Sequence, residues 1–269
     1  MSGRERVRIV KAHAFGNDFL LVEASEVASV ADRPALAREL CDRHAGIGAD
    51  GLIVYTDLPR RMALLNADGS YSEVSGNGVR CLAAWLAMKG RLDVGGHIAI
   101  ETDAGVKDLE LLEQNGRRLT FRAAMGQPEH VQQRAIEVGG VPLTAITLRV
   151  GNPQCVVLGD VTEERLQAVA ARLAVHPVFP QGTNVELAQV DRPDRVRILI
   201  WERGVGPTEA SGTGACAAAV AAIVYGGAAR DLEVVSPGGS QRVEWTDDGL
   251  FLTGWAEVVF DGEFHNRPR

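Results

Sequence analysis

Ser75-Gly76-Asn77-Gly78-Val79-Arg80-Cys81-Leu82-Ala83-Ala84-Trp85-Leu86 and Ser211-Gly212-Thr213-Gly214-Ala215-Cys216-Ala217-Ala218-Ala219-Val220 repeat one pattern. In each, a serine and a polar residue flanked by glycines open a stretch that is apolar nearly all round. A helix apolar on every side is buried, so the pair predicts two enclosed helices, Asn77–Lys89 and Thr213–Tyr225. Glycines at a helix entrance let the backbone approach a ligand and aim several N–H groups at it. The helix dipole then favours an anion there. Ser, Asn and Thr are also ordinary N-caps, and capping would explain one copy. Two copies in register, each behind a polar cluster, point to ligand binding. Neither copy has the G-K-[ST] end of a Walker loop or the full G-x-G-x-x-G of a dinucleotide fold. With no lysine beside either, the pattern suits a small carboxylate better than a nucleotide.

The surrounding sequence repeats as well. Gly16-Asn17-Asp18 follows an N-terminal strand and Gly151-Asn152-Pro153 follows a strand opening the second half. An amphipathic helical stretch comes next in each, Pro34–His44 and Glu163–Ala174. Leu64-Leu65-Asn66-Ala67-Asp68-Gly69 is answered by Ile200-Trp201-Glu202-Arg203-Gly204. Asn17 and Ser75 are 58 positions apart, Asn152 and Ser211 59. Four ordered landmarks at nearly equal offsets indicate an internal duplication. Short runs rich in Val, Ile and Leu, bounded by turn residues, read as strands at 6–10, 19–23, 51–55, 61–66, 98–102, 119–123, 147–150, 154–158, 184–190, 195–202, 233–236, 242–246 and 249–259. The expected fold is α/β (α+β): two similar lobes, residues 1–130 and 131–269, related by a pseudo-two-fold. Each lobe would be a curved mixed or antiparallel sheet around a central buried helix. The S-G-x-G loops would then face each other across a cleft, each lobe offering one reactive side chain and one helix N-terminus to the same ligand.

Composition sets the outer bounds. The 269 residues are 46% hydrophobic and 23% charged, with a net charge of −7 and an isoelectric point near 5.4. No basic patch stands out to neutralise phosphates, which excludes nucleic acid as the expected partner. The opening MSGRERVRIV lacks the apolar core of a signal peptide. No run of 18 apolar residues occurs, so no membrane span is expected. Cys41, Cys81, Cys155 and Cys216 have no metal-ligand spacing and read as buried thiols of a cytoplasmic protein that binds no metal.

Asn66-Ala67-Asp68-Gly69-Ser70, four residues, then Ser75-Gly76-Asn77-Gly78-Val79-Arg80 is similar to the signature of the diaminopimelate epimerase family at every position but one. The family has cysteine where this chain has Ser75. Gly16-Asn17-Asp18-Phe19, Arg43-His44-Ala45-Gly46-Ile47-Gly48-Ala49-Asp50-Gly51, Gly182-Thr183-Asn184-Val185 and Glu202-Arg203-Gly204 agree with it in order. So does Ser211-Gly212-Thr213-Gly214-Ala215-Cys216, apart from serine at the second catalytic cysteine. The resemblance implies α-carbon epimerisation of an amino acid without pyridoxal phosphate or other cofactor. One residue of the catalytic pair takes the proton and the other returns one to the opposite face. Asn17, Asn66, Asn152, Asn184, Glu202 and Arg203 would hold the ammonium and carboxylate, and the N–H groups around Gly76-Asn77 and Gly212-Thr213 would absorb the carbanion's charge. The family default is LL-diaminopimelate to the meso form, in lysine and peptidoglycan precursor synthesis, by a homodimer.

Three positions depart from the family. Ser75 and Ser211 replace the cysteines, and Gln154 stands where the family commonly has histidine. A thiol, with pKa about 8.5, can be tuned toward neutrality by a helix N-terminus. A serine hydroxyl is far less acidic and acts as a base only when another group takes its proton. The pair is therefore compatible with serine-based epimerisation or with racemase or dehydratase chemistry on another amino acid. It is compatible too with an amino-acid-binding homologue or Cys→Ser variant that does not turn over.

Overall fold

The computed structural model describes residues 6–265, and they gather into two compact units, residues 6–123 with 255–265 and residues 124–254. The first contains strands β1 (Arg6–Ala14), β2 (Asn17–Glu23), β3 (Gly51–Thr56), β4 (Arg61–Asn66), β5 (Tyr71–Ser72), β6 (His97–Thr102) and β7 (Gly105–Asn115). Most of β8 (Arg118–Gly126) and the far part of β17 (Gly249–His265) belong to it too. Helices α1 (Arg33–Cys41) and α2 (Gly76–Met88) interrupt the strands. The pairings run β17–β1–β2–β3–β4–β6–β7–β8 and return to β17, a closed ring of eight strands. Buried and exposed residues alternate strictly along β6, as the two-residue period of a strand with one buried face requires.

The second unit contains β9 (Glu129–Val138), β10 (Val141–Val150), β11 (Asn152–Leu158), β12 (Asn184–Arg192), β13 (Arg195–Glu202), β14 (Gly206–Thr208), β15 (Asp231–Ser236), β16 (Gly239–Thr246) and the start of β17. A helical stretch between β11 and β12 comprises α3 (Glu163–Arg165), a π turn (Leu166–Ala170) and α4 (Ala171–Ala174), and α5 (Gly212–Tyr225) follows β14. The pairings repeat those of the first unit in order and sense. β10–β11 is antiparallel, β11–β12 parallel, β12–β13 antiparallel, β13–β15 parallel, then β15–β16 and β16–β17 antiparallel. The duplication in the sequence is thus a duplication of topology. It also fixes equivalent positions: Leu21 pairs with Ile53 and Ile53 with Leu64 in one unit, Val156 with Glu186 and Glu186 with Ile200 in the other.

The two helices expected to be enclosed are enclosed. Ten residues of α2 and ten of α5 are buried. In α5 most are alanine, small enough for Val156, Ile198, Ile200, Val234 and Leu252 to close round the helix. Both helices begin one residue before the expected start, because Ser75 and Ser211 are their N-caps. The outer helix α1 stops at Cys41 rather than His44. Asp42 turns extended there, and its carboxylate accepts hydrogen bonds from the N–H of His44 and of Ala45 (2.7 and 2.6 Å).

Four strands were not expected: β5, β7, β9 and β14. β7 and β9 carry charged or amide side chains on both faces and are exposed along most of their length, so no apolar alternation marks them. The expected division at 130/131 leaves the whole C-terminus in the second lobe. In the structure β17 runs on to His265, and from Lys11↔Phe260 to Arg6↔His265 it is the partner of β1, which draws residues from 255 onward into the first unit. Residues 1–5 and 266–269 of the expected lobes lie outside the described residues.

Gly46 tests the packing of the α1–β3 connection. A Cβ there would collide with the backbone oxygens of Glu39, Leu40 and Asp42. Overpacking of this kind costs about 1–3 kcal/mol. Gly46→Ala is expected to lower the urea unfolding midpoint accordingly, while Gly90→Ala, with nothing near its Cβ but a positive φ of 73°, tests backbone strain alone.

Candidate active site

Ser75 and Ser211 occupy the same local geometry. Each has extended backbone (φ −127°, ψ 123° and φ −137°, ψ 128°), and each hydroxyl accepts a hydrogen bond of 3.2 Å from the N–H three residues on, of Gly78 and of Gly214. Gly76-Asn77 and Gly212-Thr213 form the first turns behind them. Each hydroxyl therefore sits in the positive field of a helix N-terminus, where developing negative charge is stabilised. Ser211 is buried and Ser75 half-buried.

In the first unit, a chain of hydrogen bonds fixes the residues around Ser75. The Asn77 amide donates to the Asn17 carbonyl (3.1 Å), and the Asn17 amide donates to Asp50 (2.8 Å). Arg43 grips Asp18 through both Nη atoms (3.2 and 2.8 Å) and Asp50 through one (2.8 Å). Lys11 lies 2.9 Å from Asp18 and donates to the Gly48 carbonyl (2.7 Å). From the helix side, the buried guanidinium of Arg80 donates to the Asn77 carbonyl and lies against the Phe15 ring, which packs on Trp255. Asn17 and Asn77 thus meet side chain to side chain. Asn66 is held separately, in its own turn, donating to Ser70 Oγ (2.9 Å).

In the second unit, Gln154, Asn184, Glu186, Ile200 and Glu202 share one sheet face by register. Val156, Ile198 and Ile200 on that face pack against α5. The Gln154 amide donates to the Asn152 carbonyl (2.6 Å), and the Asn184 carbonyl accepts from the Arg203 backbone N–H (2.9 Å). The Arg203 side chain crosses Gly182, where a Cβ would meet its Cδ at 2.9 Å, and donates to the Gln181 carbonyl (2.8 Å). Gly182-Thr183-Asn184 therefore positions Arg203, which is exposed.

The thiols are not candidates for the reaction. All four are buried. Burial pushes the Cys41 thiol up to about 12, and pushes those of Cys81 and Cys155 up as well. Sequence reasoning missed Arg43, Asp50 and Arg80 as the support of Asn17 and Asn77, and missed Glu186 altogether. For Glu186 the signal was there: in Asn184-Val185-Glu186-Leu187-Ala188 the two-residue period puts the acid on the same face as Asn184.

The family model for diaminopimelate epimerase matches residues 9–131 and 146–259. A diaminopimelate epimerase of Pelotomaculum thermopropionicum is 38% identical over 97% of this chain and 100% of its own length. One of Desulforudis audaxviator is 39% identical over 96% and 99%. Among solved structures, a predicted epimerase of Pseudomonas aeruginosa superposes with a TM-score of 0.74 at 18% identity, covering 97% of this chain and 100% of that one. A hydroxyproline epimerase of Agrobacterium vitis gives 0.69 at 16%, covering 98% and 93%. These two show the fold alone. The chain belongs to the diaminopimelate epimerase family. Among the described residues no helix is long and apolar enough to cross a membrane.

The Arg43 cluster has a pH signature. Burial pushes the Asp18 carboxyl up, but the hydrogen bonds and charges of Arg43 and Lys11 outweigh it and hold it below the usual carboxylate range. A depressed carboxylate stabilises the fold above the unfolded-state value, about 3.9, and that stability is lost as pH falls through the folded-state value. Arg43→Met removes the larger source of the depression. Its acid unfolding transition is expected at higher pH than the parent's, followed by circular dichroism; coincident transitions would show that the cluster contributes nothing.

Proposed function

We propose that the chain epimerises an amino acid at its α-carbon without pyridoxal phosphate or another cofactor, converting LL-diaminopimelate to the meso form, with Ser75 and Ser211 as the two proton-transfer positions. The observation that carries this reading is the matched pair of N-capping serines on buried helices, in a chain related to diaminopimelate epimerases over nearly its full length; the motif resemblance is what assigns the two serines to the catalytic pair. Lysine and peptidoglycan precursor synthesis follows from the family.

The chemistry asked of these residues is proton removal from a weakly acidic carbon and proton return on the opposite side. Arg203 suits the substrate carboxylate, which a guanidinium binds with two parallel hydrogen bonds. Glu202 suits the ammonium. Asn17, Asn66, Asn152 and Asn184 add donors and acceptors without charge. The N–H groups of Gly76, Asn77, Gly212 and Thr213 would stabilise the charge that spreads into the carboxylate as the α-proton leaves. Each serine hydroxyl needs a neighbour that takes or supplies its proton. A cytoplasmic homodimer completes the proposal, on the family resemblance alone.

A second reading, binding without turnover, is favoured by the same serines, since neither hydroxyl is acidic enough to act unaided. Chiral chromatography of LL-diaminopimelate incubated with the protein separates the two readings. The meso isomer is expected to form, and Ser75→Ala or Ser211→Ala to lower kcat by roughly 10²–10⁴-fold, the usual contribution of general acid–base catalysis. The double Ser75→Cys, Ser211→Cys protein is expected to turn over faster than the parent. Binding of the amino acid with no meso product from the parent would leave the second reading.

A further inference from the structure

Gln154, where the family commonly has histidine, is 1% exposed. Its Nε2 donates to the Asn152 carbonyl (2.6 Å), so the other end of the amide is the end left over. That end, Oε1, is enclosed and has no hydrogen-bond partner among the described residues. A buried carbonyl left unpaired costs stability, and native proteins carry few of them. The fold does not ask for one here. Position for position the first unit has Phe19, a buried ring that pairs with Gly51 as Gln154 pairs with Asn184. A polar group kept where an apolar one would serve marks a place held for a ligand.

The surroundings of Oε1 narrow the choice of ligand group. Gln154, Asn184 and Glu202 share one sheet face by register, across β11, β12 and β13. Glu186, the next residue of β12 on that face, is buried and neither of its oxygens has a hydrogen-bond partner among the described residues. No lysine or arginine lies on this face within 154–158, 184–190 or 196–202. Acceptor oxygens of Gln154, Glu186 and Glu202 thus gather on a face with no cation of its own. An amino acid brings two polar groups to such a site. Its carboxylate only accepts hydrogen bonds and its ammonium only donates them. The ammonium is the one that an unpaired carbonyl oxygen can hold.

We infer that Gln154 is a substrate-binding residue whose Oε1 accepts a hydrogen bond from an ammonium group of the bound amino acid. The inference rests on the amino-acid site of the reading above and not on turnover there. Gln154 neither gives nor takes a proton in this role. Its N–H to Asn152 keeps the carbonyl end of the amide turned to the ligand, and Glu202 supplies negative charge on the same face. The Phe19 ring at the equivalent place in the first unit has no acceptor to offer, so ammonium recognition of this kind belongs to the second unit alone.

Two variants of the full-length protein isolate the acceptor, because Gln154→Met and Gln154→Glu both lose the N–H to Asn152 and only Gln154→Met loses the oxygen. Titration calorimetry at pH 8 uses an equilibrium mixture of LL- and meso-diaminopimelate, so that turnover adds no net reaction. Gln154→Met is expected to bind the mixture roughly 10–100-fold more weakly than the parent, the usual contribution of a hydrogen bond to a charged group. Gln154→Glu is expected to stay within about threefold of the parent. Gln154→His, whose neutral imidazole also offers an acceptor nitrogen, is a second rescue should the glutamate disturb folding. Circular dichroism melting without ligand checks that each variant folds. Equal losses in all three variants would mean that Gln154 acts only through Asn152, and would overturn the inference. Unchanged affinity in Gln154→Met would overturn it as well, and would leave the epimerase reading standing. The expected order of affinities in a protein that forms no meso isomer from LL-diaminopimelate would uphold the inference and remove the catalytic reading. A parent that binds no diaminopimelate would remove both.

Discussion

A helix sealed inside a sheet cannot leave its first N–H groups to water, and in both units of this protein a single serine hydroxyl accepts one of them. That requirement organises much of what surrounds it. The serine must be extended while the next residue turns helical, so the chain enters the helix abruptly. The third helical residue is glycine, and in each unit a side chain from the sheet crowds the space a Cβ would need. The partial positive charge of the same helix end is left beside the hydroxyl. The hydroxyl proposed for proton transfer is thus also the capping group, held in place through a bond that stability requires anyway.

Duplication supplies two such positions with one topology, and divergence has made their supports different. In the first unit the support is ionic and amide-based, running from Lys11 and Arg43 through Asp18 and Asp50 to Asn17 and Asn77, with Arg80 closing it from the helix. The residue of α5 equivalent to Arg80 is Cys216. In the second unit the cation is gone and a buried acid, Glu186, stands behind the helix start.

Much of this was legible in the sequence because the helix entrances carry their own marks. A serine, glycines and an apolar run gave the caps, the enclosure and the repeat at once. Strands rich in Val, Ile and Leu were equally plain. β7 and β9 were not, since Lys107, Asp108, Glu110 and Gln114, or Gln132, Gln133 and Arg134, leave no apolar period to read. The end of β17 escaped notice because Asp261-Gly262-Glu263 looks like a turn until β1 pairs with it. Asn17, Asn77, Asn152 and Asn184 could be named from the family pattern, but their partners lie 33 to 60 residues away along the chain in the first unit. For Glu186 the strand period gave its face, shared with Asn184, but not its full burial or its unpartnered oxygens, which only the folded sheet shows.

The central claim is that two different groups serve the two faces of the α-carbon. It is tested most directly by following deuterium into both isomers when pure LL-diaminopimelate is converted in deuterated water. If Ser75 and Ser211 each serve one face, the meso product formed early carries deuterium at the inverted carbon while the recovered LL isomer keeps its protium. Equal early labelling of both isomers would mean that one group serves both faces, and would contradict the account.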